Sequence, residues 1–168
     1  TLLLIAGGLL HPDEGQVVLA GQNMFDLSAA RRAEWRAQHV GFVFQQYHLL
    51  PYLTVLENIL LPRLSQPEEQ YRLRAMALMD ELGLAQRQTH LPAELSAGEK
   101  QRTALARALV HEPALVLADE ITGNLDRDNA RSVVLCLKKY AAAGGTVLLV
   151  THDEEAAGQA DRTITLKR

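Results

Sequence analysis

At 168 residues the chain has room for one domain with a real core, and 48% hydrophobic with 22% charged residues is ordinary for a globular protein. A net charge of -3 and a pI near 6.0 give no basic footprint for non-specific nucleic-acid binding. The single cysteine, Cys136, excludes an internal disulfide and lies in an apolar helical pattern, so it reads as a small core residue, not a nucleophile. No apolar run approaches the roughly 18 residues of a membrane span, and no secretory signal is visible, so the expected compartment is the cytoplasm.

The chain begins at Thr1, with no initiator Met, directly inside the apolar segment Leu2–Ala6, and reads as an excerpt. Residues 1–10 fit a helix or a strand, with Gly7 and Gly8 near the end, and 11–15 a turn. Residues 16–20 form a β-rich stretch closed by Gly21. Ser28 caps a helix running to about Gln38, whose Trp35 is a packing residue. Val40–Phe44 is a short strand followed by Gln45 and Gln46. Thr54, with Glu57 three residues on, opens a short helix that ends before Pro62. A further helix starts near Pro67. Its stripe of Ala75, Leu78, Met79 and Leu82 faces a core, and Gly83 stops it.

Residues 95–99, Leu-Ser-Ala-Gly-Glu, open a helix from Lys100 to about Val110, with Ala104, Leu105, Ala108 and Leu109 on one face. The apolar run 114–118 then delivers two carboxylates, Asp119 and Glu120. Asp126 caps a helix to about Ala143, its inner stripe being Ala130, Val133, Val134, Leu137 and Ala141. Thr146–Val150 reads as a fully buried strand ending in Thr151-His152-Asp153. A short helix to Ala160 and a last strand, 162–167, complete the chain.

Buried strands alternating with helices predict an α/β fold with a parallel sheet. Ligands of such sheets bind at the carboxyl ends of the strands, and three polar clusters follow three strands: Gln45, Asp119 with Glu120, and His152. A carboxylate pair on a buried strand is costly unless something uses it, and the usual use is Mg²⁺ and a water at a nucleotide's terminal phosphate. The bland alternative is a core strand running into an acidic loop.

These residues, taken together, resemble the nucleotide-binding subunit of ATP-binding cassette (ABC) transporters. Phe44-Gln45-Gln46 is similar to the Q-loop, 95–99 with Lys100-Gln101-Arg102 to the signature motif, and 114–120 to Walker B. Gly123-Asn124-Leu125-Asp126 is similar to the D-loop and Thr151-His152-Asp153 to the histidine switch. Walker B alone is a weak signal; the five in family order are a strong one. The resemblance implies a P-loop NTPase (RecA-like) parallel sheet core over 1–53 and 113–168, with a helical subdomain over about 54–112. The N-terminal part of the ABC domain would be missing.

The resemblance also implies roles. Asp119 would hold Mg²⁺ with help from Gln45. Glu120 would act as general base or water-orienting group, with Gln45 beside the attacking water and a neutral His152 bridging the γ-phosphate and the Glu120 loop. Ser96, Ala97, Gly98 and Glu99 would close over the γ-phosphate of ATP held by a second, head-to-tail subunit, most simply another copy, at a helix start suited to anions. Asp126 would cap its helix, contact that seam, or both. Thr1 resembles the residue just after the Lys-Ser of the phosphate-binding Walker A loop.

Three departures stand out. The Walker A pattern is absent, so the chain as given is expected to bind ATP poorly and hydrolyse almost none. Ala97 replaces the usual first signature glycine. Ile121 replaces the usual proline, which should loosen the loop after Glu120.

Residues 118–126 and 42–51 are similar to a bacterial subgroup containing the lipoprotein-releasing, macrolide-efflux and cell-division-associated ATPases. That likeness implies a subunit peripheral on the inner face of the cell membrane, with a permease docking near Gln45–Leu61, and no nucleic-acid partner. Two other readings are a regulatory scaffold that recruits a membrane partner, and a soluble ABC ATPase of DNA repair or translation. The latter usually carries tandem cassettes or long coiled coils, and this chain shows neither.

Overall fold

The computed structural model describes residues 1–62, 68–123 and 125–166. In chain order its elements are α1 (Leu2–Ala6), β1 (Val18–Leu19), β2 (Gln22–Asn23), α2 (Ala29–His39), β3 (Val40–Val43) and α3 (Val55–Leu60). Then come α4 (Glu68–Glu81), α5 (Ala97–Leu109), β4 (Leu115–Asp119), α6 (Arg127–Ala142), β5 (Thr146–Val150) and α7 (Glu154–Ala157). The expected start of α4 at Pro67 lies outside the described residues.

β3, β4 and β5 form a parallel sheet in that order. Val43 pairs with Ala118 and Asp119 with Val150, so all three strands end at one edge. Their side chains alternate between two cores, as the two-residue period requires. Val43, Val116, Ala118, Val147 and Leu149 face the helices α3 to α6. Val40, Phe42, Leu117, Leu148 and Val150 face the other way, where Leu3 of α1 joins them. α5 lies hard against β3: a Cβ on Gly41 would sit 2.4 Å from the Ala108 carbonyl oxygen, so only glycine permits this approach.

Helix starts follow the expected caps. Ser28 Oγ accepts from Arg31 N, and Thr54 and Glu57 form a reciprocal capping box. α5 begins at Ala97, three residues ahead of the expected Lys100, because Ser96 and Glu99 form another such box. Glu99 Oε2 accepts from Ser96 N at 2.8 Å, and its Oε1 takes Arg87 Nε at 2.6 Å. The Ser96 N–H is the main cause that holds the Glu99 carboxyl at about 2, with burial opposing and Arg87 assisting.

The loop ahead of α3 hangs on Asn58, which is fully buried. Its Oδ1 accepts from Leu50 N at 2.8 Å, and its amide donates to the carbonyls of Leu50, Leu53 and Thr54. Of the α4 stripe, Ala75, Met79 and Leu82 are buried and Leu78 packs beside them. Cys136 is buried in the same core, and desolvation raises its thiol to about 11, which leaves it inert near neutrality.

Several expectations need correction. β5 is not fully buried: Thr146 is exposed and the other four residues are half-buried, because the helical layer covers it less completely than it covers β3, an edge strand too among the described residues, which lies hard against α5. Residues 162–166 form no strand, and Ile164 and Leu166 are each 68% exposed. Their alternation has β-propensity, but a strand needs a ladder partner. Lys167 lies outside the described residues. The β-rich stretch 16–20 shrinks to β1 and pairs with β2 across a tight turn at Ala20 and Gly21, both at positive φ. Residues 1–10, open between helix and strand, resolve to helix at Leu2–Ala6. Among the described residues no helix is long and apolar enough to cross a membrane.

Two stability predictions follow from these anchors. Asn58→Ala should lower unfolding free energy by about 2–3 kcal/mol in urea denaturation, since it strands the Leu50 amide and three carbonyls. Glu99→Gln should cost about 1–2 kcal/mol at neutral pH. The Glu99 carboxyl is lowered on folding from 4.5 to about 2. Its contribution is therefore complete above the unfolded value and fades as pH falls from about 5 through 2. Urea midpoints of the parent and Glu99→Gln proteins should converge across that window.

Candidate active site

The site begins where β4 stops. Asp119, half-buried, ends the strand, and Glu120 follows with φ at 48°. A left-handed non-glycine residue costs about 1–3 kcal/mol and persists only where its surroundings fix it. Here they do. Glu120 N donates to Val150 O at 2.9 Å, one step beyond the paired strand, and Glu120 O accepts from Gly123 N at 3.3 Å. Ile121 and Thr122 follow at 1% and 5% exposure. Ile121 lacks the backbone restraint of a proline but is buried. Its side chain is seated in the main core and anchors the turn.

This backbone turns the Glu120 carboxylate toward His152. Glu120 Oε2 accepts from His152 N at 3.3 Å, and Oε1 lies 3.4 Å from His152 Nε2. The second contact is an ion-pair distance without hydrogen-bond alignment, and Oε1 is shielded from solvent with no aligned donor. The Glu120 side chain is 20% exposed and that of His152 94%. Asp153 fixes the histidine's backbone: its Oδ1 caps α7 through Glu155 N and Ala156 N, and its N–H donates to Thr151 Oγ1.

Gln45 is exposed, two residues past β3, at the same sheet edge. Ser96, Ala97, Gly98 and Glu99 gather at the start of α5, bound to a different neighbour. A Cβ on Gly98 would lie 2.7–2.9 Å from the Asn129 amide group. Asn129 accepts from Arg102 Nη1, donates to Asp126 Oδ2, and gives its N–H to Asp126 Oδ1 at 2.9 Å. These bonds, the backbone one foremost, depress the Asp126 carboxyl. Asp126 thus caps α6, one of its two expected roles. Ala97 is exposed, so its extra methyl meets no neighbour in the core. Thr1 caps α1 only through its carbonyl.

The predicted residues thus form two groups. Glu120 and His152 are in contact, with Asp119 adjacent and Gln45 along the edge. Ser96–Glu99 and Asp126 are joined through Asn129. Among the described residues no hydrogen bond or ion pair links the two groups. Asn129 and Arg107 of α5 were absent from the sequence reading. Asn129 sits three residues into a capped helix, and only its packing under Gly98 reveals its place.

No three His, Cys, Asp or Glu side chains converge as a metal cage among the described residues. Mg²⁺ needs no such cage: it keeps several waters and takes one or two carboxylates beside a phosphate. A half-buried Asp119 at the end of β4, with the exposed Gln45 at the same sheet edge, fits that donor set.

Comparison with known proteins agrees with this architecture. The family described as ABC transporter matches residues 1–123. The lipoprotein-releasing system ATP-binding protein LolD of Shewanella oneidensis is 45% identical over 170 residues, covering 99% of this chain and 74% of that protein. The macrolide export ATP-binding/permease protein MacB of Burkholderia pseudomallei is 42% identical over 168 residues, covering 99% of this chain and 26% of its own length. The solved dimer of the ATP-binding cassette MJ0796 bound to ADP and Pi superposes with a TM-score of 0.86 at 37% identity, over 95% of this chain and 72% of that one. The chain belongs to the ABC transporter family and has the fold of its ATP-binding cassettes.

Proposed function

We propose that this chain is the ATP-binding and ATP-hydrolysing subunit of a transporter complex, acting as a head-to-tail dimer beneath a membrane permease. The observation that carries this reading is Glu120. It is held left-handed at the end of the central strand, half-shielded, with one carboxylate oxygen unpartnered and His152 alongside. An orphaned buried acceptor at a strained position is the mark of a working base rather than a packing residue.

In this reading the Glu120 carboxylate orients the attacking water and accepts its proton, while His152 holds the γ-phosphate against the same loop. Phosphoryl transfer asks the protein for positioning and charge compensation more than covalent help. Asp119 and Gln45 would hold Mg²⁺, which when bound supplies positive charge against the phosphate oxygens. Ser96, with its hydroxyl proton free to donate, and the backbone around Ala97, Gly98 and Glu99 would face the γ-phosphate bound by the partner subunit. Asp126 would line the seam, and Thr1 would follow a phosphate-binding loop. The separation of the two groups in one chain supports the dimer, because a shared site needs one group from each subunit.

The chain divides, in the same reading, into a core of 1–53 and 113–168 and a helical subdomain of 54–112. The permease would dock near Gln45–Leu61, where Tyr52 and Leu61 are 72% and 42% exposed. The subunit would then sit peripherally on the inner face of a bacterial membrane. The names of the relatives favour export or envelope-type release as the work done.

Glu120→Gln should lower Mg-ATP turnover by about 10²–10⁴-fold and accumulate an ATP-bound dimer on gel filtration. The assay belongs on a gene product that carries a phosphate-binding loop ahead of Thr1. The 168-residue chain alone should turn over almost none. Unchanged turnover in Glu120→Gln would refute the role of Glu120, and permease recruitment and transport independent of hydrolysis would favour the scaffold reading instead.

A further inference from the structure

Directly after Gln45 the backbone does something unusual. Tyr47 and His48 are both left-handed, with φ at 56° and 47°. Residues with side chains visit this region singly, and two in succession need external support. Local bonds tighten the turn: Tyr47 N donates to Phe44 O at 3.2 Å, and the His48 ring meets Phe44 edge-on at 5.1 Å. The remaining support comes from about sixty residues away. Arg107 Nη2 donates to Tyr47 O at 2.7 Å and its Nη1 to His48 O at 2.6 Å. One guanidinium therefore grips both left-handed carbonyls with short, charge-assisted bonds.

We propose that Arg107 is a positioning residue for Gln45, locking the turn that follows it to the helix opened by Ser96. The next residue on α5 secures the same pair of elements. Ala108 presses its carbonyl against Gly41 of β3, the strand that delivers Gln45. α5 thus holds β3 and the turn beyond it at two adjacent points, one by close packing and one by the guanidinium. Burial lowers the Arg107 pKa from its ordinary value, and a guanidinium in a protein keeps its charge, so the charge that makes these bonds strong is present. Ser96 caps α5 about three helical turns before Arg107, so one helix joins Ser96–Glu99 to the Gln45 turn. The effect on catalysis rests on the role given to Gln45 above; the clamp itself does not.

The test uses Arg107→Gln, His48→Gly and the double variant in a protein that carries a phosphate-binding loop ahead of Thr1. Glycine takes a left-handed φ without strain, so it should relieve the need for a clamp, and it should not repair a merely packing role of Arg107. Amide hydrogen exchange should speed about tenfold or more over 46–49 in Arg107→Gln while amides of Leu105 and Ala106 in α5 hold, and return toward the parent rate in the double variant. Mg-ATP turnover should fall about tenfold in Arg107→Gln at little-changed KM and recover with His48→Gly. If Arg107→Gln does not fold, Arg107→Lys, with one donor group in place of two, carries the same comparison. Exchange unchanged over 46–49, or raised equally through α5, overturns the clamp. Exchange raised and rescued with turnover unmoved, where Gln45→Ala lowers turnover, overturns the positioning role; where Gln45→Ala also leaves turnover unmoved, the role given to Gln45 fails instead.

Discussion

The 2.9 Å bond from Glu120 N to Val150 O joins fold to site. It continues the parallel ladder of β4 and β5 by one residue after Glu120 has already left strand geometry. A parallel sheet accepts such an extension only when its register is exact, and Asp119 opposite Val150 sets that register. The ladder in turn depends on two faces of alternating apolar residues, each with its own core. Slipping β5 by one residue would exchange the faces, expose Leu149, and swing His152 away from Glu120. The chemistry at the sheet edge and the burial beneath it are therefore a single constraint.

The second group of site residues is built by different means. The start of α5 is stabilised by charge: Glu99 satisfies the Ser96 amide and Arg87 at once, with its carboxyl driven to about 2. Its placement against α6 is steric, since Gly98 leaves room for the Asn129 amide and nothing more. Asn129 then commits Asp126. A helix N-terminus, a glycine contact and a cap on the next helix are tied together by one side chain.

What was legible in the sequence was what short-range physics decides. The box Thr54-x-x-Glu57 is a four-residue pattern with a bonding rule, and it forms; Ser96-x-x-Glu99 has the same pattern and also forms, although the helix was expected only from Lys100. Three apolar runs implied three buried ladders, and parallel pairing then placed the polar groups after them at one edge. What failed depended on neighbours far along the chain. β5 looks as apolar as β4, and only the packing around it shows that it is covered less completely. The β1–β2 hairpin turns on Ala20-Gly21, which lacks the Asn or Asp that advertises such turns. Asn58 stood among apolar neighbours in a short helix, a signal that could have been read. Arg107 and Asn129 had none, because their partners lie 59 and 27 residues away or across a helix packing.

Ile121 shows how one departure from a family pattern is absorbed. A proline there would stiffen the loop covalently and bias the residue before it toward extended backbone. Glu120 is not extended; its φ is 48°. Isoleucine removes that bias and instead supplies a buried side chain, with Ile121 at 1% exposure in the main core beside Thr122 at 5%. The loop is then held at three points: the ladder bond on one side, the buried pair on the other, and the Gly123-to-Glu120 bond closing the turn. Rigidity that a proline would place in the backbone is here placed in packing. The carboxylate of Glu120 therefore depends on the core beneath it more directly than a proline loop would allow.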